Sequence, residues 1–141
     1  MIDFFVPGVP ATAGSKRGFI NPRTGGIIIT DDTGQRGKNW RVAVQDAARG
    51  VYTGPPFPGP LVLLIEFRVL RPKGHFRADG GLKPGSPRRP VTRPDATKML
   101  RAVEDALTKI LWRDDSQVVH LAAEKVYAEA PGARVRVWSA T

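Results

Sequence analysis

Apolar residues recur along this chain in two patterns: short runs typical of strands, and a spacing of three or four residues typical of helices. The short runs, bounded by glycine and proline, predict strands at Asp3–Val6, Phe19–Ile20, Ile27–Thr30, Leu61–Leu70, Val118–Tyr127 and Ala133–Trp138. The second and third strands flank the turn-rich residues Asn21–Gly26 and therefore predict a β-hairpin. The last two are predicted as a closing pair around Ala130–Gly132.

Helical spacing predicts two helices. The first covers Lys38–Arg49 and ends at Gly50, and its apolar positions are Trp40, Ala43, Val44 and Ala47. The second begins after Asp95, and its apolar face comprises Met99, Leu100, Val103, Leu107, Ile110 and Leu111. This order of elements indicates an α+β fold, with a small mixed or antiparallel sheet and two main helices. Residues 1–141 are expected to form a single domain.

Positive charge is concentrated in one stretch. The protein carries 22 Lys and Arg against 13 Asp and Glu, which gives a net charge of +9 and a pI near 10.7. Residues 68–101 contain ten of the bases and two of the acids, so +8 of the net charge is local. Residues 71–93 are also rich in glycine and proline, which predicts a basic flexible loop. Such a surface favours nucleic acid as a partner over a solubility feature or a membrane-surface patch.

Several classes of protein are disfavoured by what the chain lacks. No run approaches the roughly 18 apolar residues that a membrane span requires, and the best, Leu61–Ile65, has the length of a strand. The N-terminus shows no basic segment followed by a long apolar one, so no signal peptide is expected. The absence of cysteine excludes disulfides and thiolate metal sites. These features predict a cytoplasmic protein with no membrane partner.

Three acids flank the second predicted helix. Asp95 precedes it, and Asp114 and Asp115 follow it. Hard divalent ions such as Mg²⁺ bind one or two carboxylates and leave the other positions to water and substrate phosphate. Two such ions can hold the attacking and leaving oxygens of a phosphodiester displacement. Lys98 and Arg101, within two turns of Asp95, are cations placed to stabilise the developing charge.

Each acid also has a simpler structural explanation. Asp95 is a good candidate for a helix N-cap, and the Asp114–Asp115 pair is compatible with a solvated turn. Asp105, on the polar face of the helix, is a natural ion-pair partner of Arg101. From the residues alone, metal-dependent phosphodiester chemistry and a plain nucleic-acid-binding module both stay open.

The residues around these acids resemble the signature of RusA-type Holliday junction resolvases, which are common in bacteria and their phages. Arg93–Leu107 reads RPDATKMLRAVEDAL, and Leu111–Val119 reads LWRDDSQVV. The opening, Val6–Pro10 followed by Ser15–Arg17, resembles the family's first strand and basic loop more loosely. The resemblance implies a phage or prophage member of a homodimeric α+β endonuclease family. Such enzymes cut four-way DNA junctions in recombination and repair, with Mg²⁺ or with Mn²⁺ as a substitute.

By position, the resemblance implies a role for each residue of the site. Asp95 corresponds to the first acid of the family's helix-start motif, Asp115 corresponds to its later acid, and Asp114 is the neighbour of Asp115. These three are the expected metal ligands. Lys98 and Arg101 occupy the asparagine and lysine positions of the motif, and both are expected to counter phosphate charge during catalysis.

The most serious departure from the motif is the loss of an acid. Thr97 stands where the family has its second acid. A threonine hydroxyl can bind a metal as a neutral ligand, but it removes one negative charge. Asp105 lies ten residues beyond Asp95, roughly 15 Å along a helix axis, so the two are not expected to share an ion. The alternative is therefore a branched-DNA-binding protein with impaired or lost catalysis.

Contacts to branched double-stranded DNA are expected from basic residues outside the acidic site. They are Lys16, Arg17, Arg71, Lys73, Arg77, Arg88, Arg89 and Arg93. Because such side chains contact phosphates, recognition should depend on the shape of the DNA more than on its sequence. Two symmetric cuts across a junction require two sites related by a twofold axis, which is the geometric reason to expect a homodimer.

Overall fold

A mixed four-stranded sheet with two helices on one face forms the body of the protein. The computed structural model describes residues 1–13, 16–31 and 34–141, apart from the side chains of residues 16–17 and 29–31. The helices are α1 (Gly34–Val51) and α2 (Ala96–Leu107). The strands are β1 (Ile2–Pro7), β2 (Lys16–Ile20), β3 (Ile27–Asp31), β4 (Leu61–Leu70), β5 (Val118–Ala128) and β6 (Gly132–Ser139). The predicted α+β class with two main helices is confirmed.

The sheet is mixed because one of its three strand pairings is parallel and the other two are antiparallel. Its order is β1-β6-β4-β5, with β4 antiparallel to β6 and parallel to β5. The predicted closing pair is therefore wrong as a pairing, since β4 lies between β5 and β6. The connection through residues 129–131 crosses the end of β4 instead of forming a hairpin. The predicted hairpin of β2 and β3 is confirmed, with Ile20 opposite Ile27.

The hydrophobic core lies between the helices and one face of the sheet. Every second residue of β4 from Leu61 to Phe67 points into it and is at most 3% exposed: Leu61, Leu63, Ile65 and Phe67. The helices contribute Trp40, Val44, Ala48, Met99, Val103, Ala106 and Leu107, all buried. Each large side chain buried in this way contributes about 1.5–3 kcal/mol. Neither helix in the described parts of the chain has the length and apolar composition of a membrane span.

Helix α2 ends one turn earlier than its apolar spacing predicts. The spacing extends the helical face to Leu111, whereas the helix ends at Leu107. Thr108 has an extended backbone, with a ψ of 133°, and Lys109 has a positive φ of 75°, so the helix does not continue past Leu107. The Thr108 hydroxyl donates to the carbonyl of Glu104 at 2.9 Å and accepts from the indole nitrogen of Trp112 at 3.0 Å. Leu111 is fully buried as predicted, but a turn and not the helix places it there.

Helix α1 is longer than predicted at both ends. It begins at Gly34, four residues before the predicted start, and continues through Gly50 to Val51. Gly50 does not adopt the positive φ of a glycine that ends a helix, so the chain continues helically past it.

The basic segment, residues 71–93, is folded into tight turns. A short 3₁₀ helix covers Lys73–His75, and Phe76 forms an isolated bridge with Leu82. The Ser86 hydroxyl donates to the carbonyls of His75 and Lys83, at 3.1 and 2.8 Å. These bonds give the segment a defined conformation. Its flexibility stays a prediction.

Candidate active site

Asp95 lies at the start of α2, and its carboxylate does not cap the helix. Its backbone is extended, and its carbonyl accepts from the Met99 amide at 3.1 Å. Its side chain accepts no hydrogen bond from the amides of the first turn, all of which are described. The interpretation of this side chain as an N-cap is therefore wrong, although the residue stands at the N-cap position. The carboxylate lies instead 3.6 Å from the ammonium of Lys98, and both side chains are exposed.

The segment that leads into Asp95 is held by a lysine from the sheet. Lys125, on β5, donates from Nζ to the carbonyl oxygens of Thr92 at 2.8 Å and Pro94 at 3.0 Å. An ammonium that binds two carbonyls fixes the approach of the chain to α2 and with it the position of Asp95. Sequence reasoning missed this residue, because Lys125 is distant in sequence and looks like an ordinary lysine in a strand.

The polar face of α2 continues from the start of the helix toward its end. Thr97, Arg101 and Glu104 are spaced by four and three residues and therefore lie on one face of the helix. Thr97 and Arg101 are exposed, whereas Glu104 is half-buried. Thr97, at the position of the missing acid, and Arg101, at the family's lysine position, thus share a helix face with the carboxylate of Glu104. The motif assigns no role to Glu104.

Glu104 is the acid of α2 most affected by its surroundings. Burial raises the pKa of its carboxyl above the usual value, and the nearby negative charges of Asp115 and Asp105 raise it further. The charge of Asp115 thus acts on Glu104 across the turn that separates α2 from β5. The sequence signal for Glu104 was its spacing of three residues from Arg101, which was overlooked beside the more exposed Asp105.

Asp114 has a structural role in the turn before β5. A short 3₁₀ helix covers Asp115–Gln117, and the Asp114 side chain accepts from the Ser116 amide at 2.8 Å. This hydrogen bond from the Ser116 backbone is the main reason that the pKa of Asp114 lies below its usual value. The capping bond agrees with the turn interpretation of Asp114. A metal-binding role for Asp114 stays a prediction.

Gln117 anchors the same turn to the rest of the protein. Its side-chain oxygen accepts from the amides of Arg113 at 2.9 Å and Asp114 at 3.2 Å. Its side-chain nitrogen donates to the carbonyls of Phe57 at 2.8 Å and Gly59 at 3.0 Å. With Gln117 and Asp114 engaged in these bonds, Asp115 is the exposed acid of the pair whose side chain does not cap the turn, and its carboxyl bonds to that of Asp114.

The acids form no preorganised three-carboxylate site. Among the side chains that the structure describes, no group of three or more His, Cys, Asp and Glu is arranged to hold a metal ion. Mg²⁺ needs only one or two protein carboxylates when water and phosphate supply the remaining ligands. The exposed oxygens of Asp95 and Asp115 suit such an ion in their donor chemistry.

A basic surface borders this region. The six predicted DNA-binding residues of the basic segment are half-buried Arg71 and the exposed side chains of Lys73, Arg77, Arg88, Arg89 and Arg93. Arg77 lies 3.4 Å from Asp79, and Arg89 lies 3.6 Å from Glu124. Exposed pairs of this kind are weak, so they do not prevent contact with phosphate. The side chains of Lys16 and Arg17 lie outside the described residues, and their predicted role is untested.

The fold and the site define a small basic α+β protein with carboxylates beside a cationic surface. Residues 7–138 match the family described as endodeoxyribonuclease RusA. The chain is also 31% identical over 150 residues to a protein of Bacillus subtilis (strain 168) named "Uncharacterized protein YqaN", with 96% of this chain and 94% of that protein covered. The chain belongs to the RusA endodeoxyribonuclease family. Its members are endonucleases that resolve Holliday junctions, so the predicted family and its DNA substrate class are confirmed. The phage or prophage origin stays a prediction.

Proposed function

We propose that this protein is an Mg²⁺-dependent endodeoxyribonuclease that resolves four-way DNA junctions by paired cuts as a homodimer. The observation that carries the proposal is the state of the two family acid positions that this chain retains. Asp95 and Asp115 both present exposed carboxylates, and the side chain of Asp95 is free of the capping bond that its position would allow. The match to the family over residues 7–138 supports the same reaction class.

By their family positions, Asp95 and Asp115, with Asp114 as a further candidate, are the carboxylates that would hold the metal ions, Mg²⁺ or Mn²⁺. When bound, the ion would polarise the scissile phosphate and supply an activated water. The chain's own cations have a separate task. Arg101 and Lys98 lie on α2 beside Asp95 and would neutralise charge on the phosphate. A guanidinium cannot serve as a proton donor or acceptor, so Arg101 would act through its charge alone.

The dimer belongs to the same proposal. Paired cuts on two strands need two active sites related by a twofold axis, and one 141-residue chain supplies one. The expected result of light scattering at working concentration is the mass of a dimer. A monomer that still makes paired cuts would contradict this part of the proposal.

Asp115→Asn tests the reaction directly. We expect it to reduce Mg²⁺-dependent cleavage of a synthetic four-way junction by at least about 100-fold, since even outer-shell changes at metal sites lose about 10–100-fold. Junction binding, measured by fluorescence anisotropy in EDTA, should be retained. Asp105→Asn is the matched control, because it removes the same charge from an exposed acid of α2. Cleavage by Asp115→Asn at the rate of the control would contradict the proposed site.

A second candidate function is junction binding without cleavage. Thr97 favours it, because the position of the second acid carries a neutral hydroxyl and no three-acid group exists among the described residues. This candidate predicts tight, salt-sensitive binding and no product in Mg²⁺ or Mn²⁺. Thr97→Asp distinguishes the two. A large gain of cleavage in the variant would show that the natural site is impaired, whereas an active wild-type protein would rule this candidate out.

A further inference from the structure

A pocket of about 240 Å³ lies beside the start of α2. Its walls include Pro10, Pro90, Pro94, Pro131 and the ring of Tyr127, and Arg93 also lines it. This volume holds several water molecules, at about 30 Å³ each, and is smaller than the roughly 300–1,000 Å³ of sites for drug-sized ligands. The flat walls of proline and tyrosine suit a small planar group, and the single cation suits a negatively charged group attached to it.

The aromatic wall of the pocket is held in place. The Arg71 guanidinium lies over the Tyr127 ring, 4.2 Å from its centroid, and His75 packs edge-on at 5.9 Å. Arg71 also donates to the carbonyl of Pro87 at 2.6 Å. The ring therefore has a fixed orientation before any ligand arrives, which lowers the entropy lost on binding.

The pocket and the acidic site share one segment of chain. Thr92, Arg93 and Pro94 line the pocket, and the next residue is Asp95. Lys125 holds this segment through the carbonyls of Thr92 and Pro94. A nucleotide seated in the pocket would therefore be held by the same segment that positions the first acid.

We propose that this pocket receives one unstacked base of the branched DNA, from a nucleotide next to the branch point. The inference rests on the proposed function. A base costs less to unstack where its pairing or stacking is already disturbed, as at a branch point, and base stacking on aromatic side chains tolerates any sequence. Arg93 and the basic segment supply charges complementary to the phosphates on either side of that base.

Charge also argues against a second copy of this chain as the occupant. The pocket is lined by Arg93 and adjoins the stretch at residues 68–101, which carries +8, so a second copy docked by the same face would place these charges against each other. Two such surfaces repel each other, whereas a nucleotide brings the opposite charge to the rim.

Val9→Trp tests the pocket, because Val9 lines it and an indole would fill it. Val91→Trp is the matched control, since Val91 lies between the lining residues Pro90 and Thr92 but is 81% exposed and does not line the pocket. Thr92→Trp fills the pocket from another side if Val9→Trp fails to fold. The probe is a set of four-way junctions with 2-aminopurine at each position flanking the branch, bound in EDTA so that no cleavage occurs.

The wild-type protein should change the 2-aminopurine fluorescence at one flanking position. Val9→Trp or Thr92→Trp should abolish that change and weaken junction binding about tenfold or more, while Val91→Trp should resemble the wild type. Two results would overturn the inference: junction binding without a fluorescence change, or filled-pocket variants that behave like Val91→Trp. Filled-pocket variants that lose dimer mass but keep the fluorescence signal would assign the pocket to a second copy and also overturn it.

The same experiment separates this inference from the proposed function. A base signal in a protein that never cuts the junction would support the pocket and contradict the nuclease. Cleavage of the junction without a base signal would support the nuclease and overturn the pocket. A wild-type protein that binds no branched DNA would overturn both.

Discussion

Replacing Lys125 with methionine should loosen the chain segment that leads into Asp95. The substitution keeps the apolar stem and removes the ammonium that donates to Thr92 and Pro94. A hydrogen bond from a charged group contributes about 1.5–3 kcal/mol. The bond to Thr92 is exposed and water can replace it, so the partly buried bond to Pro94 accounts for most of the effect. The expected loss is about 2 kcal/mol in the free energy of unfolding.

For a chain of 141 residues, a loss of that size lowers the melting temperature by about 4–8 °C. The assay is thermal denaturation at pH 7, followed by circular dichroism. Lys83→Met is the control, because it removes the same charge from an exposed lysine of the basic segment. In a cleavage assay, Lys125→Met should lose activity in excess of its loss of junction binding, since Asp95 is displaced. A melting temperature within about 1 °C of the control would refute the role assigned to Lys125.

Two further predictions concern the sheet and the core. Arg134 binds the Asp3 carboxylate at 2.7 Å, and this hydrogen bond lowers the pKa of Asp3. The stabilisation is therefore present above the unfolded-state pKa of about 3.9 and lost as pH falls through the lower folded-state pKa. Asp3→Asn should lower the melting temperature at pH 7 but not near pH 2, and an equal loss at both would contradict this account. Met99 is fully buried on α2, so Met99→Ala should reduce the free energy of unfolding in urea by about 2–5 kcal/mol. Exposed Leu82→Ala should change it by less than about 0.5 kcal/mol, and similar losses in both variants would place Met99 outside the core.

The elements of the fold could be predicted where a signal lies within one segment of chain. The apolar run of β4 predicts its bounds, Leu61–Leu70, as the structure has them. The apolar spacing of α2 identifies its buried face, including Met99 and Val103. The first signal comes from local composition, and the second arises because a helical backbone brings residues three or four apart to one side. The end of α2 was missed because Thr108 and Lys109 stop the helix through contacts and a backbone angle that apolar spacing does not show.

The candidate site was only partly predictable for the same reason. Asp95 and Asp115 were found through their positions in a motif, and the structure shows both as exposed acids. Lys125, Gln117 and Glu104 were not found, because each acts on residues of another segment. Gln117 bonds to carbonyls about 60 residues away, and Lys125 to carbonyls about 30 residues away. No local pattern distinguishes such residues from ordinary surface side chains.

The sequence by itself determined the α+β class, the two helices, the basic segment and the acids on either side of α2. Each of these depends on composition or on spacing between near neighbours. Only the tertiary structure decided that β4 separates β5 from β6, that Asp114 caps a turn while Asp95 does not cap its helix, and that a pocket adjoins Asp95. Strand order, capping and cavities depend on which distant segments contact each other. Burial of the whole core supplies the free energy that favours those contacts.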